Sequence, residues 1–153
     1  MEAVCALDIA HSQRRFVRSV SESIAHAAHP PVVDGHPVLP WYRAIEADGE
    51  LAGFVLLAMQ SHGVPRLWQL IVDQRHQRRG IATSTVGRIA AMLAADGVTH
   101  LEATFVDEPG GPEVFYTRLG FARTGEIDPS GEVCCRAWTA ELAARAAPSD
   151  DAG

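Results

Sequence analysis

The strongest pattern of apolar and polar positions lies between Arg66 and Met92. Leu67, Leu70, Ile71 and Val72 form a mostly apolar run of strand length, with Trp68 suited to a pleated surface. Asp73–Arg79 is polar. After Gly80, the residues Val86, Ile89, Ala90, Leu93 and Ala94 recur at i, i+3, i+4, i+7 and i+8, one face of a helix. Upstream, Phe16, Val17, Val20, Ile24 and Ala27 make a stripe that predicts a helix from Ser12 to about Ala28. Ser12 suits its N-cap, and His29-Pro30-Pro31 stops it. Pro30–Pro40 holds four prolines and a glycine and reads as an irregular loop.

Trp41–Ala47 and Leu51–Met59 flank Asp48-Gly49, a hairpin signal, and the second run is apolar throughout, as a central strand is. The helix after Gly80 ends near Asp96-Gly97, with Gly97 at C′. His100–Val106 is a further strand; with a helix between them, it must run parallel to the strand before Gly80. The breaker-rich loop Asp107–Pro112 follows, then a short helix Glu113–Leu119 stopped by Gly120. Phe121–Ile127 and Glu132–Leu142 read as a second hairpin around Asp128–Gly131, and the closing AARAAPSDDAG as a frayed end. The expected class is α/β (α+β): one domain over 1–142, a mixed sheet with helices on its faces, and a flexible tail over 143–153.

Composition narrows the functional classes. At 153 residues, the chain can bury a sizeable core, and 47% hydrophobic with 21% charged residues is a soluble globular balance. No apolar run approaches the roughly 20 residues that a membrane helix needs. A net charge of −6 disfavours nucleic acid as partner and suits a cationic one. The start MEAVCALDIA lacks a basic leader, and three cysteines, two of them adjacent (Cys134, Cys135), make no disulfide framework. The expectation is a reduced, cytoplasmic protein. His26, His29 and His36 lie close together but without a metal-ligand motif, so solvated loop histidines are the favoured reading and no metal is expected. A homodimer is allowed by the sequence and required by nothing in it.

A polar turn opening into a helix presents backbone N–H groups without internal partners at the positive end of the helix dipole, which suits phosphate. Gly80 leaves the backbone approachable there, and Arg75, Arg78 and Arg79 add positive charge. The dinucleotide fingerprint and the G-x-x-x-x-G-K-[ST] loop are both absent. Taken alone, the six residues would also serve as an ordinary strand-to-helix turn with solvated arginines.

Gln77-Arg78-Arg79-Gly80-Ile81-Ala82 is similar to the Q/R-x-x-G-x-G/A signature of the Gcn5-related N-acetyltransferases, and Tyr116-Thr117-Arg118-Leu119-Gly120-Phe121 resembles their closing Y-x-x-x-G-F element. The resemblance implies a twisted sheet that splays apart after the strand preceding the turn. It also implies acetyl-CoA as co-substrate, held by Leu70, Ile71 and Val72 on that strand and by Gln77, Arg78, Arg79, Gly80, Ile81, Ala82 and Thr83 at the turn. Tyr116, alone readable as a core tyrosine with a wet hydroxyl, becomes in this pairing the general acid that protonates the departing thiolate. Many relatives carry a glutamate as base in the strand before the turn; Gln69, the nearest polar residue here, cannot serve, so the base is unassigned.

Segments from Gln13-x-x-Phe16-Val17 through Gly131-Glu132 further resemble the bacterial spermine/spermidine acetyltransferase (BltD-like) branch. This implies a small cationic amine, first of all a polyamine, as acceptor. Glu22, Asp34, Glu126 and Glu132 are the candidate carboxylates for it, each otherwise an ordinary surface acid. An aminoglycoside-type antibiotic or a protein amine is the alternative acceptor, and a non-catalytic acyl-CoA sensor the alternative of another class. Two departures stand out. The family's first strand has no counterpart before Met1, and the loop before Tyr116 reads Pro109-Gly110-Gly111-Pro112 where many relatives carry a CoA-contacting asparagine.

Overall fold

In the computed structural model, the described residues are Glu22, Ile24, Ala25, Ala28, His29, 32–33, 35–61 and 63–146. The expected helix over 12–28 and the question of a first strand lie almost wholly outside them. Glu22, Ile24 and Ala25 are helical, and Ala28 N–H donates to Ile24 O (3.1 Å).

The hairpin signal holds. β3 (Leu39–Ala47) and β4 (Glu50–Met59) pair antiparallel. Both turn residues take positive φ, Asp48 at 54° and Gly49 at 78°, as a two-residue type I′ turn requires. Before it, the Pro-rich segment is not wholly irregular: β1 (Val32–Val33) and β2 (His36–Pro37) form a short antiparallel pair, a correction to the expected loop. Proline tolerates the end of such a strand, where no ladder donor is needed.

β5 (Arg66–Val72) pairs antiparallel with β4, and α1 (Ile81–Ala95) leads to β6 (His100–Phe105), parallel to β5 as expected. α2 (Glu113–Leu119), β7 (Ala122–Ile127), β8 (Val133–Trp138) and α3 (Thr139–Ala146) complete the chain. The main sheet has six strands in the order β3-β4-β5-β6-β8-β7. One face carries Val55, Leu57, Leu67, Leu101, Ala103, Phe105 and Cys135 into a core closed by Val86, Ile89, Ala90 and Leu93 of α1. Leu119, Phe121 and Leu142 complete that layer. On the other face, Phe54, Leu56 and Ile71 pack with Trp68 and Ile24.

Two further expectations are corrected. Ala94, assigned to the inner face of α1, is exposed, and Gly87 is buried instead, against α3. The segment Glu132–Leu142 is not one strand: the chain leaves the sheet at Trp138 and coils into α3, four residues of which fall in the expected tail. Thr139 anchors that departure through Oγ1 to Val98 O (2.7 Å) and its N–H to Thr99 O (3.0 Å). The run Thr-Ala-Glu-Leu-Ala-Ala-Arg-Ala is rich in helix formers, with Glu141 early and Arg145 late, so the signal was present.

Candidate active site

The sheet is split between β5 and β6. These strands pair only at Arg66↔Glu102 and Leu67↔Ala103, although β5 continues to Val72 and β6 to Phe105. Both remain paired on their outer sides, β5 to β4 as far as Val72 and β6 to β8 as far as Phe105. Beyond those two pairs β5 and β6 form no ladder with each other, and a slot opens between them among the described residues. A β-bulge marks its start: Leu56 opposes Gln69 and Leu57 opposes Leu67, leaving Trp68 as the extra residue. Bulges bend the strand that carries them and add twist, which turns β5 away from β6. At the open end, β4 lies tight against β5, since a Cβ on Gly53 would fall 2.3 Å from Ile71 O.

The slot leads into the turn 73–80. Asp73, buried at 2% exposure, organises it: Oδ1 accepts from Arg75 N–H (3.0 Å) and Arg75 Nε (3.0 Å), and its own N–H donates to Ala52 O (2.8 Å). Gln77 Nε2 donates to Val72 O at 3.0 Å, tying the turn back to the strand. Arg79 Nη1 meets His76 Nδ1 (3.1 Å), its Nη2 pairs with Asp48 at the tip of the β3–β4 hairpin, and His76 Nε2 lies 3.6 Å from Glu50. Arg75 and Arg79 are thus structural ties as well as charges. Asp73, His76 and Asp48 were missed by sequence reasoning. Asp73 carried a local signal, an Asp just after a strand and able to bond two residues on; the Asp48 contact spans 31 residues and had none.

Arg78 (φ 61°) and Gly80 (φ 74°) both take the left-handed conformation, and a Cβ on Gly80 would meet no atom of the described residues within 4 Å. Among the described residues, no side chain caps the first turn of α1, and no acidic residue sits in it. Ile81, Ala82 and Thr83, half-buried, occupy that turn, at the helix end that favours an anion.

Tyr116 belongs to the other wall. Its ring stacks on Phe105, the last residue of β6 (centroids 6.1 Å), and meets Phe115 and Phe121 edge-on, each at 5.4 Å. Burial pushes the hydroxyl's pKa up, and the nearby Cys135 and Glu132 raise it further, so the group keeps its proton at any physiological pH. Arg123 holds this wall in shape. It pairs with Glu113 on α2 (2.6 Å) and with Asp107 (3.0 Å), which joins β7, α2 and the loop before it. Those bonds from Arg123 hold the Glu113 carboxyl below its ordinary value.

The four candidate acceptor acids are not gathered together. Glu132 is the nearest to the slot: half-buried just before β8, it accepts from Thr104 Oγ1 at 2.6 Å. Glu126 is exposed in the bulged part of edge strand β7, and Glu22 is exposed on its helix. Asp34 lies outside the described residues. Among the described residues, no group of three or more His, Cys, Asp or Glu side chains is placed to hold a metal. No helix among them is long and apolar enough to cross a membrane.

A strand-edge slot thus runs from an aromatic wall to a helix N-terminus without a side-chain cap, an end that favours an anion. The acetyltransferase (GNAT) family model matches residues 7–121, well over half of the chain and inclusive of both motifs, and the chain belongs to this family. The fold is shared with the PaiA N-acetyltransferase of Thermoplasma acidophilum, solved in complex with coenzyme A (15% identity, TM-score 0.56, 65% of this chain and 60% of that one). It is also similar to an acetyltransferase from Thermus thermophilus (21%, 0.55, 65% and 64%) and to aminoglycoside 6'-acetyltransferase type Ii (18%, 0.58, 78% and 76%). The chain thus spans less than two thirds of the length of the first two. No curated protein sequence matches it.

Proposed function

We propose that the protein transfers an acetyl group from acetyl-CoA to a primary amine of a small cationic acceptor, a polyamine first of all, in the cytoplasm. The observation that carries this reading is the slot itself: its β5 wall runs into the uncapped start of α1, while Tyr116 packs on the β6 wall. The N–H groups of the turn and first helical turn, from Gln77 to Thr83, would take the pyrophosphate. The free edge of β5 at Leu70–Val72 would align the pantetheine arm and offer an N–H to the carbonyl oxygen as it gains negative charge. An alkyl ammonium has a pKa of roughly 10, so the acceptor must lose a proton before its lone pair attacks the thioester carbon. As the C–S bond breaks, the thiolate takes the Tyr116 proton. No cysteine nucleophile is needed, and Cys134 and Cys135 are buried free thiols, the latter pushed up to about 12 by burial.

Aminoglycosides are the second reading within the same chemical class; one protein of similar fold is an aminoglycoside 6'-acetyltransferase, and such antibiotics are polycations too. Thiol release from acetyl-CoA, measured across polyamines, aminoglycosides, lysine peptides and neutral amino acids, tests the proposal. The expected result is fastest turnover with a polyamine. A best substrate among peptides or neutral amino acids overturns the acceptor assignment, and tight CoA binding without any turnover leaves a sensor instead.

A further inference from the structure

We propose that Arg79 is a positioning residue for the cofactor turn rather than a charge contact for phosphate, an inference that rests on the acetyltransferase reading above. His76 and Asp48 hold its guanidinium and so pin the turn 77–80 to the β3–β4 hairpin. Arg79 Nη1 lies 3.1 Å from His76 Nδ1, and Nη2 donates to Asp48 Oδ2. A guanidinium only donates, so Nδ1 accepts and the ring proton of His76 sits on Nε2, 3.6 Å from Glu50 Oε2. His76 is 5% exposed, and its backbone N–H donates to Asp73 O at 2.8 Å, which seats it at the end of the short 3₁₀ turn Gln74–His76. Asp48 lies in the hairpin turn and Glu50 opens β4. Two side chains of the cofactor turn thus reach two carboxylates of one hairpin tip.

Arg78 sits between two such ties. Its φ of 61° is a left-handed conformation that a side chain disfavours, and conformations of this kind persist where the surroundings over-determine them. The residue before it is fixed by Gln77 Nε2, which donates to Val72 O at 3.0 Å. The residue after it is fixed through the Arg79 guanidinium. Gly80 follows, left-handed as well, and opens α1. Holding this backbone in one arrangement before the ligand arrives removes an ordering cost from binding. Global stability is the weaker explanation for the contacts. The Asp48 side chain is 75% exposed and that of Arg79 46%, and an ion pair so open to solvent contributes little to the fold. A phosphate contact by the Arg79 side chain is the weaker explanation too, because both Nη groups already have partners and one would have to be given up.

The experiment measures CoA affinity by calorimetry, and KM and kcat for acetyl-CoA by thiol release, on the full chain. Arg79→Gln and His76→Leu should each weaken CoA binding by about fivefold or more, as coupling between contacting residues allows. KM for acetyl-CoA should rise in step while kcat stays within about twofold, the split expected when only binding is lost. His76→Asn, whose side-chain oxygen can accept where Nδ1 does, should keep CoA affinity within about twofold of the wild type. Arg79→Lys keeps the charge but not the two-armed fork, and should bind as weakly as Arg79→Gln. The double variant His76→Leu/Arg79→Gln should bind no more weakly than Arg79→Gln alone, because the two side chains act as one unit. If His76→Leu folds too poorly to assay, Asp48→Gly, which keeps the left-handed turn and removes the carboxylate, carries the same expectation. Wild-type affinity in Arg79→Gln or in Arg79→Lys overturns the proposal. So do equal losses in His76→Asn and His76→Leu, which would reduce His76 to packing. A wild type that neither binds CoA nor releases thiol from acetyl-CoA overturns the acetyltransferase reading itself, and this inference with it.

Discussion

Tyr116 shows how much one side chain's meaning depends on its surroundings. Its ring is core, packed among Phe105, Phe115 and Phe121, so Tyr116→Phe should fold normally and bind CoA with unchanged affinity by calorimetry. Turnover should fall by roughly 10²–10⁴, the worth of a positioned acid. The pH dependence of stability follows from the same burial. Tyr116 and Cys135 both have pKa values raised in the fold, so the unfolded chain ionises first: Cys from about 8.5 and Tyr from about 10. Their contribution is complete below those values and is lost as pH rises through them. A denaturant midpoint that declines from about pH 9 upward is the expected result. Gly80 was legible as the approachable residue of the turn, but its φ of 74° adds a second reason. Gly80→Val should weaken CoA binding and also destabilise the fold by about 1–2 kcal/mol, since a side chain in that conformation is strained. The roles of His76 and Asp48 were not legible because the His76–Glu50 and Arg79–Asp48 contacts join the turn to the separate β3–β4 hairpin.

At the level of elements, periodicity and punctuation gave most of the fold: the Asp48-Gly49 hairpin, α1, the parallel β6 and the limits of α2 all stand as read. What they could not give was pairing detail. A bulge at Trp68 leaves no mark on a run whose residues all suit a strand, yet it sits where the sheet opens. α3 was misread because Val133–Trp138 runs into its helix formers without a glycine or proline between them. Within a helix, alanine in place of glycine normally stabilises by roughly 0.5–1 kcal/mol. Here a Cβ would lie 1.9 Å from the Cβ of Ala146, so α1 and α3 pack only because Gly87 has none. Gly87→Ala should reverse the usual sign, lowering stability by about 1–3 kcal/mol as overpacking does, with the effect read as a drop in melting temperature. A more stable variant would mean that the end of α3 yields freely and contributes little to holding the fold.

Across the whole molecule, charge is what would draw the proposed cationic acceptor to the site. The chain carries a net charge of −6, and several of the cations near the slot are already paired: Arg75 and Arg79 with Asp73 and Asp48, and Arg123 with Asp107 and Glu113. Glu132, close enough to raise the pKa of Tyr116, is the carboxylate that the proposed function would set against an ammonium. Glu126 and Glu22 are exposed and would act on the proposed cationic acceptor only through the general field. Such attraction is screened over roughly 10 Å at 0.1 M salt. The KM for a polyamine should therefore rise as sodium chloride is raised through that range, with kcat little changed. Glu132→Gln should raise the polyamine KM at low salt and flatten its salt dependence, whereas Glu126→Gln should do so less. The KM for acetyl-CoA should move differently, since an anion bound at a helix N-terminus is held by backbone N–H groups within a partly enclosed turn. A polyamine KM indifferent to salt, or unchanged in Glu132→Gln, would remove the cationic acceptor from this account while leaving the acetyl-transfer chemistry of the slot standing.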